Sequence, residues 1–523
     1  MKDADPRPSV ASLQPAKSKV TAEPRKFRSL DKTPLETISG DGFEVQFDML
    51  QGTIHKLTYN STVVIPEGCG PKLNTFRAFV NNDNWTVDGW FANGLHNLRH
   101  SVTAAAMERQ KNGSVLLTFT VVSQAPNAAR LHGGTASGHN RIEELTDQPF
   151  GEGSFKFVSN VTWTVWPDGS IELASAITSN RPKTVLGRLG YVMEIPDEYN
   201  SLWYYGRGPV ENYNDRMANA DIASWTLSKD DQPEYTFPQE CGNHEGTRWL
   251  SFTNDKNVGA LIIASAPRAA HADEILASHR CVSDDALTGT PAFSFSLSPW
   301  SALDLTLAAH PYQLPKSNVH YLTIDAKVTG LGGNSCGQGG PLFEDRALSS
   351  PTLFGFIIRP ASAKETYNVS PSTPFPAMPV IPKPENSLDV VFASSVEPSE
   401  GSAEAFSDGD PSTFWHTMYS ITMGTYPHWV DFDAGREKVI KGCTYTPRQD
   451  GSPNGRVRDY EIYVSLNGKD WGSPVAKGSF PDNASTHKVL FAKPVKARYI
   501  RFTALSEQRG AAYACGAEFT IIE

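Results

Sequence analysis

The chain has 523 residues, of which 39% are hydrophobic, and it carries a formal net charge of −10 at pH 7. This length favours two or three domains with sizeable cores, and the absence of a basic stripe argues against a nucleic-acid partner. No apolar run in the sequence approaches the roughly 18–20 residues that span a bilayer.

The composition also points to a β protein. There are 41 Gly and 37 Pro residues and few periodic runs of Ala or Leu, which favours many short strands and turns. The six cysteines form no C-x-x-C pair, so we predict neither a zinc site nor a disulfide scaffold. Met1 is not followed by a basic-then-apolar signal peptide. The protein is therefore either cytoplasmic or lacks its leader here, and a periplasmic or extracellular location is the expectation.

The first two segments differ in pattern. Residues 1–39 show no sustained periodicity and are predicted to be a tail or linker. Residues 40–362 alternate apolar and polar positions in short runs, which predicts antiparallel strands in a large β-sandwich. The Asp-Gly pair at Asp168 predicts a tight hairpin. Leu303–His310 fits a short helix or a strand equally well.

The stretch WYYGRGPVENYNDR, residues 203–216, combines aromatic rings with amides and carboxylates. We predict that its aromatic residues end a strand and that Gly206, Gly208 and Pro209 force a turn. Rings that stack on sugar C–H faces, beside polar groups that read hydroxyls, suit a carbohydrate site. The alternative is a surface corner whose polar groups cap their own backbone.

This stretch resembles the G-x-GP-x-ENY-x-DR signature of the β-galactosidase small chain, the last domain of family 2 β-galactosidases. Other motifs of that family have counterparts here in the same order, namely RAFVNNDN at 77–84, PQECGNHEGTRWL at 238–250, HPYQL at 310–314 and IDAKVTGLGGNSCG at 324–337. The resemblance covers residues 40–360 and implies a galactose-mutarotase-like supersandwich.

The resemblance also implies a role in a larger enzyme. In the family, the two catalytic glutamates lie in a TIM barrel that this chain does not contain, and the small chain forms a wall of the cleft. One loop of the family brings a Trp to the sugar. Cys336 stands at that position here, so the stacking contact is predicted to be absent. The predicted substrate-binding residues are Tyr205, Arg207, Glu211, Asn212, Asn334 and Cys336.

Catalysis by the sandwich itself is a further hypothesis, since mutarotase-like folds also support epimerases, lyases and phosphorylases. His is suited to proton transfer near neutral pH, and carboxylates can act as general acids or bases. Buried structural ion pairs explain the same residues as well. The catalytic candidates are Glu240, His244, Glu245, His310 and Asp325.

Residues 363–387 are rich in proline and are predicted to be a semi-rigid linker between domains. Residues 388–523 then show strands at regular spacing, as in a second sandwich. AFSDGDPSTFWHT, YTPRQDGSPNGRVRDYEIYVS and ARYIRFTAL resemble the discoidin or coagulation-factor type C domain, which in glycosidases is carbohydrate-binding module family 32. The predicted fold class is therefore all-β, a supersandwich followed by a smaller discoidin-like sandwich.

The second resemblance implies two sites. Asp408, Asp410, Thr413 and Glu518 match positions that often hold a structural Ca²⁺, which needs six to eight oxygens. The alternative is a turn in which the two aspartates make Asx hydrogen bonds. The residues that match positions contacting galactose-type sugars are His416, Arg448 and Asn454, with Tyr513 as a stacking face. An ion pair of Arg448 with Asp450 and a core position for Trp415 are the structural interpretations.

The sequence therefore predicts the small-chain portion of a β-galactosidase that carries a carbohydrate-binding module. Its barrel would come from a separate large chain or from a missing N-terminal part. The alternatives are a non-catalytic glycan-binding protein and a stand-alone enzyme with a mutarotase fold.

Overall fold

A computed structural model gives the architecture of most of the chain. It describes residues 11–12, 34–133, 140–199, 201–228, 235–265, 291–332, 340–361, 369–370, 373–381, 387–397, 401–411 and 413–523. The described part is nearly all β, which confirms the predicted fold class. None of its helices has the length and apolarity needed to cross a membrane.

The chain forms two compact units, each with its own apolar core. The N-terminal unit comprises Met1–Gly151 and Phe155–Ile381, and the C-terminal unit comprises Pro382–Glu523 with Glu152–Ser154.

The described part of the N-terminal unit contains strands β1 to β24 and two short α-helices. The strands are β1 (Ala11–Ser12), β2 (Leu35–Gly40), β3 (Phe43–Asp48), β4 (Thr53–Tyr59), β5 (Thr62–Ile65), β6 (Lys72–Asn74), β7 (Arg99–Arg109), β8 (Val115–Gln124), β9 (Asn127–His132), β10 (Arg141–Pro149), β11 (Phe157–Val165), β12 (Ile171–Ser179), β13 (Val185–Leu186), β14 (Arg188–Pro196), β15 (Ser201–Gly208), β16 (Asp221–Ser228), β17 (His244–Thr247), β18 (Trp249–Thr253), β19 (Gly259–Ala264), β20 (Phe293–Ser298), β21 (Val319–Val328), β22 (Ala347–Leu348), β23 (Thr352–Pro360) and β24 (Val369–Ser370). The α-helices are α1 (Val87–Ala92) and α2 (Ala302–Leu307), and 3₁₀ turns span Asn81–Trp85, Leu95–Asn97, Pro311–Gln313 and Phe343–Asp345.

Three antiparallel sheets dominate the described part of this unit. Their strand orders are β16-β15-β18-β19-β23-β12-β11-β8-β7, β17-β20-β21-β14-β6 and β2-β3-β4-β5. Apolar residues from all three sheets join in one core cluster. Alternate residues of β8 point into it, whereas β12 is buried along its whole length. This is the predicted galactose-mutarotase-like supersandwich. The hairpin at Asp168 is confirmed, since Val165 pairs with Ile171 across it.

The ambiguous segment at Leu303–His310 begins as a helix. Ser301 caps α2, because its hydroxyl accepts the Asp304 N–H at 3.1 Å while the Asp304 carboxylate accepts the Ser301 N–H at 2.9 Å. This reciprocal pair is a capping box, and it satisfies N–H groups that the first turn leaves open.

The described proline-rich residues 373–381 lie against β11 and β12. The Thr373 hydroxyl donates to the buried Glu172 carboxylate at 2.6 Å, and the Asn160 amide donates to the Ala377 carbonyl at 2.8 Å. This segment therefore belongs to the N-terminal unit.

The C-terminal unit is a discoidin-like β-sandwich. Its strands are β25 (Asp389–Ala393), β26 (Trp415–His416), β27 (His428–Thr446), β28 (Asp459–Ser465), β29 (Ala476–Ser479), β30 (His487–Ala504), β31 (Cys515–Gly516) and β32 (Glu518–Ile522), and a 3₁₀ turn spans Ala403–Phe406. Trp415 is completely buried and stacks on Phe406 with ring centroids 5.3 Å apart, as predicted for a core residue.

Candidate functional site

The predicted turn of the 203–216 stretch begins later than expected, because β15 continues to Gly208. A Cβ atom at Gly206 would lie 2.5 Å from Thr247 Oγ1, and one at Gly208 would lie 2.3 Å from the Tyr204 hydroxyl oxygen. These glycines therefore permit close packing within a strand, and the prediction that they force a turn was wrong, whereas the chain does bend at Pro209.

After β15, the side chains of Asn212 and Glu211 form hydrogen bonds that stabilise the turn. The buried Asn212 amide donates to the carbonyls of Arg207 and Val210 at 3.2 and 3.0 Å, and its oxygen accepts the Glu245 N–H at 2.9 Å. Glu211 accepts the Tyr235 hydroxyl and the Gly242 N–H, both at 2.6 Å. Both side chains therefore fix backbone conformation.

The other two described substrate-binding candidates lie on β15. Tyr205 stacks on Trp249 with centroids 6.3 Å apart, and Arg207 donates to the Ala220 carbonyl at 3.1 Å. Tyr205 faces away from the main core, since the alternating residues Leu202 and Tyr204 are the buried ones. Asn334 and Cys336 lie outside the described residues.

The end of the same motif holds the backbone that leads into segment 333–339. The Asp215 carboxylate accepts the Gly332 N–H at 2.6 Å, and the Asn82 amide donates to the Leu331 carbonyl at 3.0 Å. A Cβ atom at Gly330 would lie 2.5 Å from the Asp215 carboxylate, so the chain passes directly over this side chain. Two motifs far apart in sequence thus meet at residues 330–332.

The backbone that leaves segment 333–339 is held in the same way. The Asn214 amide donates to the Asp345 carbonyl at 3.0 Å. The Arg346 guanidinium carbon lies 4.5 Å from the centre of the Trp85 ring, and Arg346 Nε donates to the Pro341 carbonyl at 2.9 Å. The described residues on either side of 333–339 are therefore held by side chains from, or next to, the two motifs.

A buried ion pair between Arg77 and Asp83 stabilises the turn next to Asn82. Both terminal nitrogens of the Arg77 guanidinium, Nη1 and Nη2, donate to Asp83, at 2.7 and 2.9 Å, and the Asp83 carboxylate also accepts the Val80 N–H at 2.8 Å. Both side chains are at most 1% exposed. The paired charges and hydrogen bonds satisfy each other, which burial requires. The pair fixes the turn that carries Asn82.

Two catalytic candidates meet on one buried arginine. Arg188, at the start of β14, donates to Glu240 at 2.5 Å and to Asp325 at 2.8 Å. The Tyr213 hydroxyl also donates to Glu240, at 3.3 Å. The Asp325 side chain is fully buried, and the Glu240 side chain is 5% exposed. These contacts tie the motif at 203–216 to the sheet of β14 and β21.

Burial raises the pKa of Asp325 to about 7, and the nearby charges of Glu240 and Glu245 add to this effect. When ionised, the carboxylates of Asp325, Glu240 and Glu245 together carry more negative charge than the single positive charge of Arg188 balances. All three carboxylates are enclosed in the protein interior, so a saccharide cannot reach them in this conformation. Their arrangement is that of a structural ion centre.

The two histidine candidates contact tyrosines instead of Arg188. His244 is buried, its Nδ1 lies 2.9 Å from the Tyr204 hydroxyl oxygen, and burial lowers its pKa to about 4. The imidazole is therefore neutral near pH 7. His310 is exposed and stacks on Tyr312 with centroids 5.3 Å apart.

In the C-terminal unit, the His416 ring is surrounded by aromatic side chains. Its centroid lies 5.0 Å from that of Tyr419 and 5.3 Å from that of Tyr513. His416 Nδ1 donates to the Thr417 carbonyl at 2.6 Å, so Nε2 is the acceptor nitrogen of the neutral ring. The buried Glu397 fixes the Tyr419 loop, because it accepts the Tyr419 and Ser420 N–H groups at 2.9 and 3.0 Å.

The structure brings the other predicted sugar-site residues to the same place. Arg448 lies 4.1 Å above the centre of the Phe414 ring, whose centroid is 6.4 Å from that of His416. Arg448 also pairs with Asp450, as the structural interpretation anticipated. Asn454 is exposed, and its carbonyl accepts the Cys515 thiol at 3.0 Å, next to the β26–β31 pair. The result is an aromatic and polar group at one end of the sandwich.

The predicted calcium residues also cluster. The Asp408 carboxylate accepts the Asp410 N–H and the Thr413 hydroxyl, both at 2.8 Å. Burial raises the pKa of Asp408 to about 6, and the charge of Asp410 adds to this. Hard oxygen donors crowded with negative charge fit Ca²⁺. In the described ranges, no three His, Cys, Asp or Glu residues form a group that could hold a metal ion, so carbonyl and hydroxyl oxygens would have to complete the shell.

Sequence reasoning missed Tyr419, Glu397 and Trp85. Tyr419 lies just three residues beyond His416, but nothing in a lone aromatic residue on a loop shows which way it faces. Trp85 directly follows the RAFVNNDN motif, and its position there was the available signal.

Two family profiles match the chain. The profile of the "Beta galactosidase small chain" matches residues 39–358, and that of the "F5/8 type C domain" matches residues 391–519.

Known proteins match each part separately. A β-galactosidase of Priestia megaterium is 25% identical over 306 residues, which are 58% of this chain and 24% of the relative. A sialidase of Micromonospora viridifaciens is 47% identical over 124 residues, which are 23% of this chain and 19% of the relative. A family 32 carbohydrate-binding module from C. perfringens, solved with galactose, is 28% identical and covers 27% of this chain and 94% of its own, with a TM-score of 0.24. The chain thus spans about a quarter or less of these two curated relatives.

Proposed function

The chain belongs to the β-galactosidase small chain family, and on that premise we propose that it completes the active-site cleft of a β-galactosidase. The barrel, with its two catalytic glutamates, would be supplied by another chain or by a further part of a longer protein. The reaction would be the retaining hydrolysis of terminal β-galactosides, in which one carboxylate is the nucleophile and the other the acid/base.

The observation that carries this proposal is the set of contacts that hold the described backbone at residues 330–332 and 341–346. Asp215 and Asn82 hold residues 330–332, while Asn214 and Trp85 hold the return of the chain. A cleft wall must present its substrate-facing groups with little freedom, because small displacements cost catalytic rate. Half-buried side chains from separate motifs would hold the described flanking backbone in this way.

Cys336 stands in the sequence at the position where the resemblance places a Trp. A thiol side chain offers a sugar far less stacking area than an indole ring. We therefore propose that this wall contributes shape and polar contacts, and that it binds the galactosyl ring more weakly than the family's Trp would.

We further propose that the C-terminal unit binds galactose-type glycans. Tyr513 and Tyr419 would stack on the sugar, His416 Nε2 would accept a hydroxyl, and Arg448 and Asn454 would read neighbouring hydroxyls. The match to the F5/8 type C family and the grouping of these side chains support this assignment.

Asp408, Asp410, Thr413 and Glu518 would hold a Ca²⁺ that stabilises the C-terminal sandwich. Burial, and after it the charge of Asp410, raises the pKa of Asp408, and a bound cation would offset both effects. Titration of chelated protein with Ca²⁺, followed by calorimetry and by thermal unfolding, tests this. Saturable uptake with a higher melting temperature is expected, and Asp408→Asn should abolish both effects.

The test of the main proposal is hydrolysis of a chromogenic β-galactoside. The chain is assayed alone, and then with a candidate β-galactosidase barrel chain from the same source. We expect no turnover by the chain alone, and turnover that rises and saturates when the two are mixed. A barrel chain whose activity is unaffected by this protein would contradict the proposal.

A second candidate is a glycan-binding protein that acts without a catalytic partner. The observation that favours it is the contrast between the enclosed carboxylates of the N-terminal unit and the partly exposed aromatic group around His416. Saturable glycan binding by a chain that neither associates with a barrel nor alters its activity would select this function.

A further inference from the structure

The sequence contains four Asn-Gly pairs, which begin at Asn93, Asn112, Asn454 and Asn467. Such a pair is chemically labile, because no Cβ atom on the glycine hinders attack by its nitrogen on the asparagine side-chain carbonyl carbon. All four glycines have φ between 67° and 89°, so the backbone at the glycine does not distinguish the pairs. Their hydrogen bonds do distinguish them.

In three of the pairs, the attacking nitrogen is already engaged as a hydrogen-bond donor. The acceptors, each at 3.0 Å, are the Phe91 carbonyl for Gly94, the Gln110 carbonyl for Gly113 and the Ser465 hydroxyl for Gly468. The glycine N–H must lose its proton before it attacks, and these hydrogen bonds stabilise the protonated nitrogen in place.

The asparagine side chains of the same three pairs are restrained as well. The Asn467 oxygen accepts the Asp470 N–H at 2.9 Å, and the Asn467 amide donates to the Asp470 carboxylate at 2.7 Å. The Asn112 oxygen accepts the Ser114 N–H at 3.0 Å, and the Asn93 side chain is buried. Each of these pairs must therefore break contacts before its nitrogen and carbonyl carbon can meet.

The Asn454–Gly455 pair lacks both restraints. Within the described ranges, the Gly455 N–H has no acceptor and the Asn454 side chain makes no hydrogen bond. The contacts of Asn454 involve only its backbone, whose N–H donates to the Ser452 hydroxyl at 3.3 Å and whose carbonyl accepts the Cys515 thiol at 3.0 Å. Asn454 is also exposed, so its amide can rotate and water can reach it.

We propose that Asn454 deamidates in the folded protein. The Gly455 nitrogen loses its proton to hydroxide and bonds to Asn454 Cγ, the Cγ–Nδ2 bond breaks, and the leaving nitrogen takes a proton from water and departs as ammonia. The product is a succinimide ring. Water then opens this ring, and addition at Cγ gives aspartate whereas addition at the backbone carbonyl carbon gives isoaspartate. Overall, one water is consumed and one ammonia is released.

The modification would weaken the sugar site of the C-terminal unit, and this consequence rests on the proposed function. A carboxylate accepts hydrogen bonds but cannot donate them as the amide does. Isoaspartate also lengthens the backbone just before Gly455, whose carbonyl accepts the Cys515 N–H at 2.8 Å. A Cβ atom at Gly455 would lie 2.9 Å from Cys515 Sγ, so this close pairing would have to shift.

The test follows all four pairs in the full-length wild-type protein by peptide mapping and mass spectrometry. One sample is kept folded at mildly alkaline pH, which speeds loss of the glycine proton, and a parallel sample is unfolded in urea. We expect Asn454 to react about tenfold or more faster than Asn467 in the folded protein, because a restrained pair reacts only after local opening.

In urea the four pairs should react at similar rates, since their covalent chemistry is the same. Equal rates at Asn454 and Asn467 in the folded protein would overturn the proposal. An excess rate at Asn454 that persists in urea would overturn its structural basis, because neighbouring sequence would then be the cause.

Galactose binding by fresh and aged protein tests the consequence. Calorimetry should show affinity about threefold to tenfold weaker for Asn454→Asp, as loss of a donated hydrogen bond predicts, and the affinity of aged protein should fall in step with loss of Asn454. Asn467→Asp is the control and should bind as wild type does. Aged protein that binds like fresh protein would overturn the effect on the sugar site. Fresh protein that binds no galactose would defeat the proposed glycan binding alone, because the deamidation rates are measured without a sugar.

Discussion

The two units use their polar and aromatic side chains in opposite ways. In the N-terminal unit, the carboxylates of Glu240 and Asp325 are enclosed against Arg188, and that of Glu245 is buried as well. In the C-terminal unit, Tyr419 is 41% exposed beside His416 and Tyr513. Apart from the exposed His310, the residues that suggest acid/base chemistry in the sequence are thus buried, whereas loops of the C-terminal unit carry side chains that suit a ligand. Enclosure separates the two roles more clearly than residue type.

The largest expected effect comes from removing the centre of the buried group. Arg188→Met should destabilise the N-terminal unit by about 3–5 kcal/mol, because it leaves Glu240 and Asp325 buried without their partner. Urea unfolding followed by tryptophan fluorescence measures this loss.

The matched control is Arg498→Met in the C-terminal unit, since Arg498 pairs with Asp433 near the surface. Its unfolding midpoint should stay close to that of wild type. Equal effects of the two substitutions would mean that the Arg188 group is not the structural centre described above.

The pH dependence of stability sharpens the same contrast. The folded pKa of Asp325, about 7, lies above its ordinary value of 3.8 because of burial. The folded state therefore holds this proton more tightly, and stability should decline as the pH rises from about 4 to about 7, then level off. Asp325→Asn should remove that part of the slope in urea unfolding at a series of pH values. An unchanged slope would show that Asp325 is already ionised.

His244 should contribute with the opposite sign. Burial lowers its folded pKa to about 4, below the ordinary 6.5, so its contribution is present above pH 6.5 and is lost as the pH falls toward 4. His244→Gln should flatten the acid side of the stability curve, and a variant that unfolds at the same acid midpoint as wild type would contradict this.

A smaller effect is expected from weakening the contacts that hold the backbone at residues 330–332. Asp215→Ala removes the acceptor of the Gly332 N–H. Losing this hydrogen bond should destabilise the observed backbone conformation at Gly332 by about 1–3 kcal/mol. Turnover in the mixture with barrel chain should fall by about tenfold, while the exposed Asp221→Ala serves as control. Wild-type turnover by Asp215→Ala would remove the main support for the cleft-wall proposal.

The smallest effect concerns the aromatic group around His416. Tyr513→Ala should weaken galactose binding by about 0.5–1.5 kcal/mol, the usual contribution of one aromatic contact. Glycan arrays and calorimetry measure it, and turnover of small soluble substrate should not change. Binding that survives the loss of both Tyr513 and Tyr419 would place the sugar elsewhere.

Much of the fold was predictable because its signals are local. The Asp-Gly hairpin at Asp168 and the alternating strands follow from neighbouring residues alone. The roles of Gly206 and Gly208 were not predictable from neighbouring residues. Gly206 leaves room for Thr247, which lies far away in the sequence, and Gly208 leaves room for the hydroxyl of Tyr204, whose orientation the sequence does not show. Leu303–His310 stayed ambiguous because a six-residue helix contains too few turns to show a period.

The site was only partly predictable for the same reason. The motifs located Asp215 and Glu240, but burial decides whether a carboxylate binds a substrate or an internal arginine, and burial depends on contacts between distant strands. The grouping of Arg448, Phe414 and His416 likewise arises from separate loops that the sandwich brings together.

The most direct test of the central claim is turnover of chromogenic β-galactoside by wild-type chain and by Asp325→Asn, each alone and each with the barrel chain. The account predicts no turnover by either chain alone and similar turnover by both in the mixture, provided that Asp325→Asn remains folded. Turnover by highly purified wild-type chain alone, abolished in Asp325→Asn, would contradict it.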